Sequence, residues 1–107
     1  MATILRGSKD RAVTLIKKAL DGYEKQNPGA EATIYRQNSA SIRVRIIDDR
    51  FARMSKSERH DLVWNFLADR LKEDVLQELS VLLLLAPSEQ KSSFMNFEFN
   101  DPIPSGF

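Results

Sequence analysis

The chain contains no cysteine, which excludes disulfides, thiolate metal sites, cysteine nucleophiles and iron-sulfur clusters held by its own thiolates. It has one histidine, His60, so a single chain cannot supply the histidine pair of many zinc sites. None of the four glycines belongs to a Walker, dinucleotide-binding or Gly-x-x-Gly phosphate loop. No set of nucleophile, base and orienting group can be named. The sequence therefore predicts a non-enzymatic protein with no cofactor and no metal site.

Long hydrophobic runs are absent too, since the longest unbroken one covers residues 81 to 86. That run is too short to span a membrane, and residues 1 to 6 lack the regions of a secretion signal. We therefore expect a cytoplasmic protein with no membrane partner. What is present suits one packed domain, with 107 residues of which 42% are hydrophobic and 29% charged.

Hydrophobic periodicity in the first half of the chain predicts a helix followed by two strands. Ser8 is a suitable N-cap, and apolar residues recur at helical spacing from residue 12 to residue 23, before the stop signal at residues 27 to 29. Residues 32 to 36 and 41 to 48 alternate as strands do, with a hairpin loop at residues 37 to 40.

The second half predicts two helices and a third strand. Ser55 and Glu58 have the spacing of a capping box, which marks the start of the second helix. A short helical turn is expected near Val75, and the apolar run from residue 79 to residue 86, closed by Pro87, favours a central strand. The predicted fold is α+β, in the order α-β-β-α-α-β, with a three-stranded sheet covered by helices on one face. The third strand is expected between or beside the hairpin strands.

The C-terminal residues differ from the rest, and we divide the chain into a domain at residues 1 to 89 and a tail at residues 90 to 107. The tail has no regular period and is rich in phenylalanine. Alternation at residues 97 to 99 would allow a short extended edge piece.

The element order and the segment from residue 51 to residue 63 resemble the BolA family, above all in Glu58-Arg59-His60 followed by Leu62-Val63. The strand that opens at residue 79 and ends at residues 86 to 89, Ala-Pro-Ser-Glu, is also similar to the last strand of that family. The resemblance implies a fold related to class II KH domains. It further implies a binding role, either with a monothiol glutaredoxin in iron-sulfur metabolism or as a DNA-associated regulator.

Three departures from the family pattern bear on function. Asp61 stands at the third position of the Arg-His-Arg motif, which places an acid where a base would face phosphate. Gln77 stands where the family has its C-terminal histidine, and the loop at residues 37 to 40 offers no soft donor. Direct ligation of a cluster by this chain is therefore not expected.

Charge is uneven along the chain. Residues 36 to 59 hold seven basic residues and three acids, a net charge of +4. Residues 60 to 107 hold three basic residues and eight acids, a net charge of −5. The basic stretch is either an anion-binding edge, helped by a helix N-terminus, or the ordinary solvated face of a sheet. The candidate anion-binding or nucleic-acid-binding residues are Arg43, Arg45, Arg50 and Lys56.

The candidate partner-binding residues are Arg53, Arg59, His60 and Trp64. His60 either ties the preceding loop to the helix or contacts a partner. Trp64 is either an interface aromatic or a residue at the edge of the core. The leading hypothesis is a protein-interaction or regulatory module of BolA type with a glutaredoxin-type partner. The alternative is a nucleic-acid-binding transcriptional regulator that uses the basic loop and the second helix, with weak binding. The sequence leaves the oligomeric state undetermined.

Overall fold

The structure is a computed structural model that describes residues 1 to 6 and 10 to 91, together with Asn96 and Phe99. It is an α+β fold in which a mixed sheet packs against three helices, and its predicted element order is preceded by one more strand. The elements are β1 (Thr3–Arg6), α1 (Arg11–Gln26), β2 (Glu31–Asn38), β3 (Ser41–Ile47), α2 (Lys56–Ala68), α3 (Glu73–Leu76) and β4 (Leu79–Leu85). A 3₁₀ helix at Asp49–Arg53 precedes α2, and a second one at Pro87–Glu89 follows β4.

In the part of the chain that the structure describes, the sheet has four strands in the order β1-β2-β3-β4, which corrects the predicted three. β1 is parallel to β2, β2 and β3 form an antiparallel hairpin, and β4 is parallel to β3. The apolar run was predicted to be a central strand, but β4 lies at an edge. The reason is topological, because the hairpin takes the centre and each parallel strand is reached through a helical crossover on the outside.

The first helix is capped by Asp10, whose side chain accepts a hydrogen bond from the Val13 amide at 3.0 Å. Ser8, the N-cap that the sequence predicted, lies outside the described residues. α1 ends at Gln26, as the stop signal indicated. Gly29 then adopts a φ of 96°, a left-handed conformation that favours glycine as the chain turns into β2.

One face of the sheet carries the main core, and the helices cover that face as predicted. Alternate residues of β2 and β3, such as Ile34, Val44 and Ile46, pack with Ile16 of α1 and Leu67 of α2, and all five are fully buried. The period-2 pattern of the strands and the helical spacing of α1 and α2 bring these apolar side chains into a single cluster.

The opposite face is covered by residues from the predicted tail. Tyr35 and Phe99 are both buried there, with ring centroids 4.8 Å apart in an edge-to-face arrangement. Phe99 has helical backbone, so the extended piece proposed for residues 97 to 99 does not hold at Phe99, whereas residues 97 and 98 lie outside the described part. Among the helices in the described part of the chain, none has the length and hydrophobicity to cross a bilayer.

Candidate functional site

The outer edge of β4 presents backbone groups that no strand of the described residues pairs. In a parallel pair, successive residues direct their N–H and C=O groups alternately toward the neighbouring strand and away from it. The Leu85 carbonyl accepts the Asp48 amide at 3.0 Å, which places Leu85 on the side of β3. Leu84 and Leu82 therefore direct their backbone groups to the open edge, and the Leu84 carbonyl indeed accepts a hydrogen bond from Arg59 there.

α2 runs beside this edge and begins with the capping box that the sequence predicted. Ser55 Oγ accepts the Glu58 amide at 3.1 Å, and Glu58 Oε1 accepts the Ser55 amide at 2.8 Å. This start fixes which face of α2 each later residue occupies. Lys56, His60 and Trp64 follow at intervals of four, so they form one row along the helix, which we call the α2 row.

The α2 row ends in an aromatic pair. The rings of His60 and Trp64 are nearly parallel, at an interplanar angle of 9°, with centroids 5.9 Å apart. His60 is exposed and Trp64 is half-buried. The sequence left two possibilities open for each residue, and the structure places both on the surface of α2 rather than in the core cluster.

Between β4 and α2 lies a cleft of about 530 Å³, which we call the β4 cleft. Its floor consists of residues 82 to 85, all leucine, so it is mainly apolar. Its polar rim consists of Lys56, Arg59, His60 and Glu89. Two of the four predicted partner-binding residues, Arg59 and His60, thus meet here, whereas Arg53 is exposed and does not line the cleft.

Arg59 is buried and uses its donors inside the fold. Its guanidinium forms a two-pronged ion pair with Glu89, at 2.6 and 2.9 Å, and donates to the carbonyls of Met54 and Leu84. These hydrogen bonds from Arg59 lower the pKa of Glu89 to about 2, helped by the Ala86 amide. Arg59 therefore joins the start of α2 to the end of β4, and little of it is accessible to a partner.

Arg43 and Arg45 lie on the opposite face of the sheet from the helices. Arg43 donates to the Tyr35 hydroxyl at 3.1 Å, and Arg45 donates to the Asn96 side chain at 2.8 Å. The Arg45 guanidinium also lies 4.8 Å from the centre of the Phe99 ring. These two candidate anion-binding residues are therefore separated by the sheet from α2 and the β4 cleft.

Arg50 is half-exposed but is held by a buried acid and a phenol. It contacts Asp48 at 3.3 Å and donates to the Tyr23 hydroxyl at 3.0 Å, while that hydroxyl donates to Asp48 at 3.0 Å. Burial, reinforced by the negative charge of Asp48, raises the pKa of Tyr23 to about 12. Lys56 and Arg53 are exposed as well, whereas Arg43 and Arg45 lie on the far face of the sheet, so the predicted basic set does not form one surface.

The open edge of β4 is the part of the site that the sequence analysis missed. The sequence held no signal for it, because β4 contains no charged residue and no proline, and these are the residues that usually mark an edge strand. The described residues contain no cluster of three or more potential metal-ligating His, Asp or Glu side chains. The candidate site thus combines the backbone edge of β4, leucine side chains and a rim formed by Lys56, Arg59, His60 and Glu89.

Comparison of the chain with protein-family models, with curated proteins and with solved structures finds no significant match. The resemblance to the BolA family accordingly rests on the residues of the chain itself.

Proposed function

We propose that this protein is a non-enzymatic interaction module of BolA type, whose partner binds the β4 cleft and the α2 row. The observation that carries the proposal is the combination of an apolar strand edge, which no described strand pairs, with a stacked pair on the neighbouring helix, formed by exposed His60 and half-buried Trp64. Both features are characteristic of surfaces that bind proteins, since aromatic residues bury large areas at low entropic cost. A monothiol glutaredoxin is the partner that the resemblance implies.

The alternative, a nucleic-acid-binding regulator, has less support from the arrangement of charge. Affinity for nucleic acid requires several basic groups on one surface, each able to neutralise a phosphate. Arg59 is buried against Glu89, and Arg43 and Arg45 lie on the far face of the sheet. Arg53 and Lys56 are too few to hold a duplex tightly at physiological salt.

Calorimetric titration with a purified monothiol glutaredoxin tests the proposal. We expect Trp64→Ala to weaken binding by about tenfold or more, as is typical for a central interface aromatic. Leu62→Ala is the matched control, because Leu62 is an exposed apolar residue about 200° away around α2. We expect it to change the affinity by less than about twofold.

Salt separates the two hypotheses. The affinity of an interface anchored by an aromatic residue should fall only modestly as salt is added. Binding to nucleic acid should weaken steeply with salt, because each phosphate contact releases counterions. Strongly salt-dependent, sub-micromolar binding to DNA that Arg53→Ala and Lys56→Ala reduce, and that Trp64→Ala leaves unchanged, would contradict the proposal. Failure of the glutaredoxin to bind at all would remove it as the partner.

A further inference from the structure

We propose that the partner adds a short acidic strand to the open edge of β4. This inference rests on the proposed function and specifies the chemistry of the partner: an extended peptide segment that alternates apolar and acidic side chains. Such β-augmentation takes affinity from main-chain hydrogen bonds and specificity from the side-chain pockets beside the edge.

The backbone of β4 defines the length of the added strand. The N–H and C=O of Leu82 and the N–H of Leu84 face outward, at the spacing with which an extended chain repeats its own polar groups. At one end, Arg59 already occupies the Leu84 carbonyl. At the other end, the register between β3 and β4 shifts between the pairs formed by Leu79 and Val81. There the Ser80 hydroxyl donates a hydrogen bond to the Ile42 carbonyl. The free edge therefore accommodates about three or four residues of partner.

The charge at the rim of the β4 cleft selects an acidic partner. Among the described residues that line the cleft, Glu89 is the one carboxylate. Arg59 donates to both of its oxygens, and the Ala86 amide also donates to Oε1. Lys56 is exposed on the same rim, where its charge helps to lower the pKa of Glu89, and His60 beside it has Nδ1 3.9 Å from the Asp61 carboxylate. A carboxylate on the added strand would complete a charge-assisted hydrogen bond with Lys56.

A second copy of this chain is a poorer occupant of the same edge. Pairing of two β4 strands would bring together segments that contain no acid. The nearest carboxylates on either side are already engaged, since Glu78 binds Arg36 at 2.7 Å and Glu89 binds Arg59. A β4 strand from a second copy would place no acid of its own opposite Lys56, so charge complementarity favours a different, acidic strand.

The experiment uses the full chain and a blocked octapeptide that alternates valine and glutamate. Amide shifts of Leu82 and Leu84 in heteronuclear NMR spectra locate the site, and Trp64 fluorescence gives the affinity. We expect these two amides to shift most, and a control peptide with lysine for glutamate to bind at least about tenfold more weakly. Methylation of alternate backbone nitrogens in the glutamate peptide should also lower affinity by about tenfold or more, because it removes the ladder donors.

Charge reversal on the protein supplies the matched pair of variants. Lys56→Glu should lower the affinity for the glutamate peptide by about tenfold and raise the affinity for the lysine peptide. Arg53→Glu makes the same charge change outside the cleft and should alter either affinity by less than about twofold. Equal effects of the two variants, or indifference to backbone methylation, would overturn the inference. So would a dimer in which the Leu82 and Leu84 amides are the ones protected, since the edge would then serve a second copy.

Failure of this inference can be distinguished from failure of the proposed function. Glutaredoxin binding that depends on Trp64, together with no shift of the Leu82 and Leu84 amides by either the peptide or the glutaredoxin, would reject the added strand and keep the interaction module. Peptide binding at the edge with no glutaredoxin binding would support the added strand and reject the glutaredoxin.

Discussion

Arg59 is the residue on which the geometry of the site most depends. Its guanidinium holds Glu89 and the carbonyls of Met54 and Leu84, so it fixes the distance between α2 and β4. Removing Arg59 takes its donors away from the Glu89 carboxylate and from the Met54 and Leu84 carbonyls. A buried pair broken in this way costs about 3–5 kcal/mol, and the 38% exposure of the Glu89 side chain reduces that loss.

We therefore expect Arg59→Ala to lower the free energy of unfolding by about 2 kcal/mol. Urea denaturation followed by the circular dichroism of the helices measures this. Arg53→Ala is the control, since Arg53 is exposed, and its effect should stay within about 0.5 kcal/mol. Equal effects of the two substitutions would show that the ion pair contributes nothing to stability.

Glu89 makes stability depend on pH in the acid range. Its pKa is about 2 in the folded protein, because of the hydrogen bonds from Arg59, against 4.5 for an unperturbed glutamate. The unfolded chain thus binds the proton more readily than the folded one does. The stabilisation is present in full above about pH 4.5 and is lost as pH falls toward 2.

Glu89→Gln should remove this part of the pH dependence. At neutral pH the variant should be less stable than the unsubstituted protein, and the two should converge as pH falls from 5 to 3. Urea midpoints at several pH values across that range provide the test. Curves that remain parallel would mean that the Arg59 to Glu89 pair does not lower the pKa of Glu89.

At the scale of elements, α2 depends on its first turn. The capping box satisfies the Glu58 amide with Ser55 Oγ and the Ser55 amide with the Glu58 carboxylate. Ser55→Ala should cost about 1 kcal/mol, as the loss of an N-cap side chain usually does. Ser57→Ala is a matched control, because Ser57 is the second residue of α2 and is not the N-cap. Thermal denaturation should show little change for this variant. Similar losses in both variants would rule out a specific capping role.

How far the sequence could predict these elements depends on how local their determinants are. The start of α2 was predicted correctly because Ser55 and Glu58 are three residues apart. The ion pair of Arg59 with Glu89 spans 30 residues, so no local pattern could indicate that Arg59 is buried. β1 was missed because four residues show no convincing period, and its pairing with β2 depends on the crossover through α1.

In the candidate site, too, only features that depend on residues close in sequence could be predicted. His60 and Trp64 were proposed as contact residues from their places on a predicted helix, and their stacking is compatible with their spacing of four residues. The position of β4 at an edge could not be read from its composition, since a run of leucines suits a buried central strand equally well. Nor could residues 43 and 45 reveal that Asn96 and Phe99 contact Arg45 on the second face.

For the whole molecule, the distribution of basic residues predicts weak binding to nucleic acid. Arg53 precedes α2 and Lys56 begins it, and both are exposed. The acidic residues Glu58 and Asp61 lie on the first turns of the same helix. We expect a dissociation constant for duplex DNA on the order of 10⁻⁴ M or weaker at physiological salt, as for non-specific binders. Fluorescence anisotropy with a labelled duplex, at several salt concentrations, measures it. Sub-micromolar affinity would require a basic surface that the described residues do not form.

The order of strands in the sheet also has a consequence for how the chain acquires its fold. β2 and β3 pair across a turn of two residues, so the entropy lost on closing that loop is small. β1 and β4 each pair in parallel only after a helical crossover, as Thr3 with Thr33 and Ile46 with Leu84 illustrate. Contacts so distant in sequence form late. The sheet should therefore assemble from its central hairpin outward, so that β4 is among the last strands to join and its edge becomes competent to bind only when folding is nearly complete.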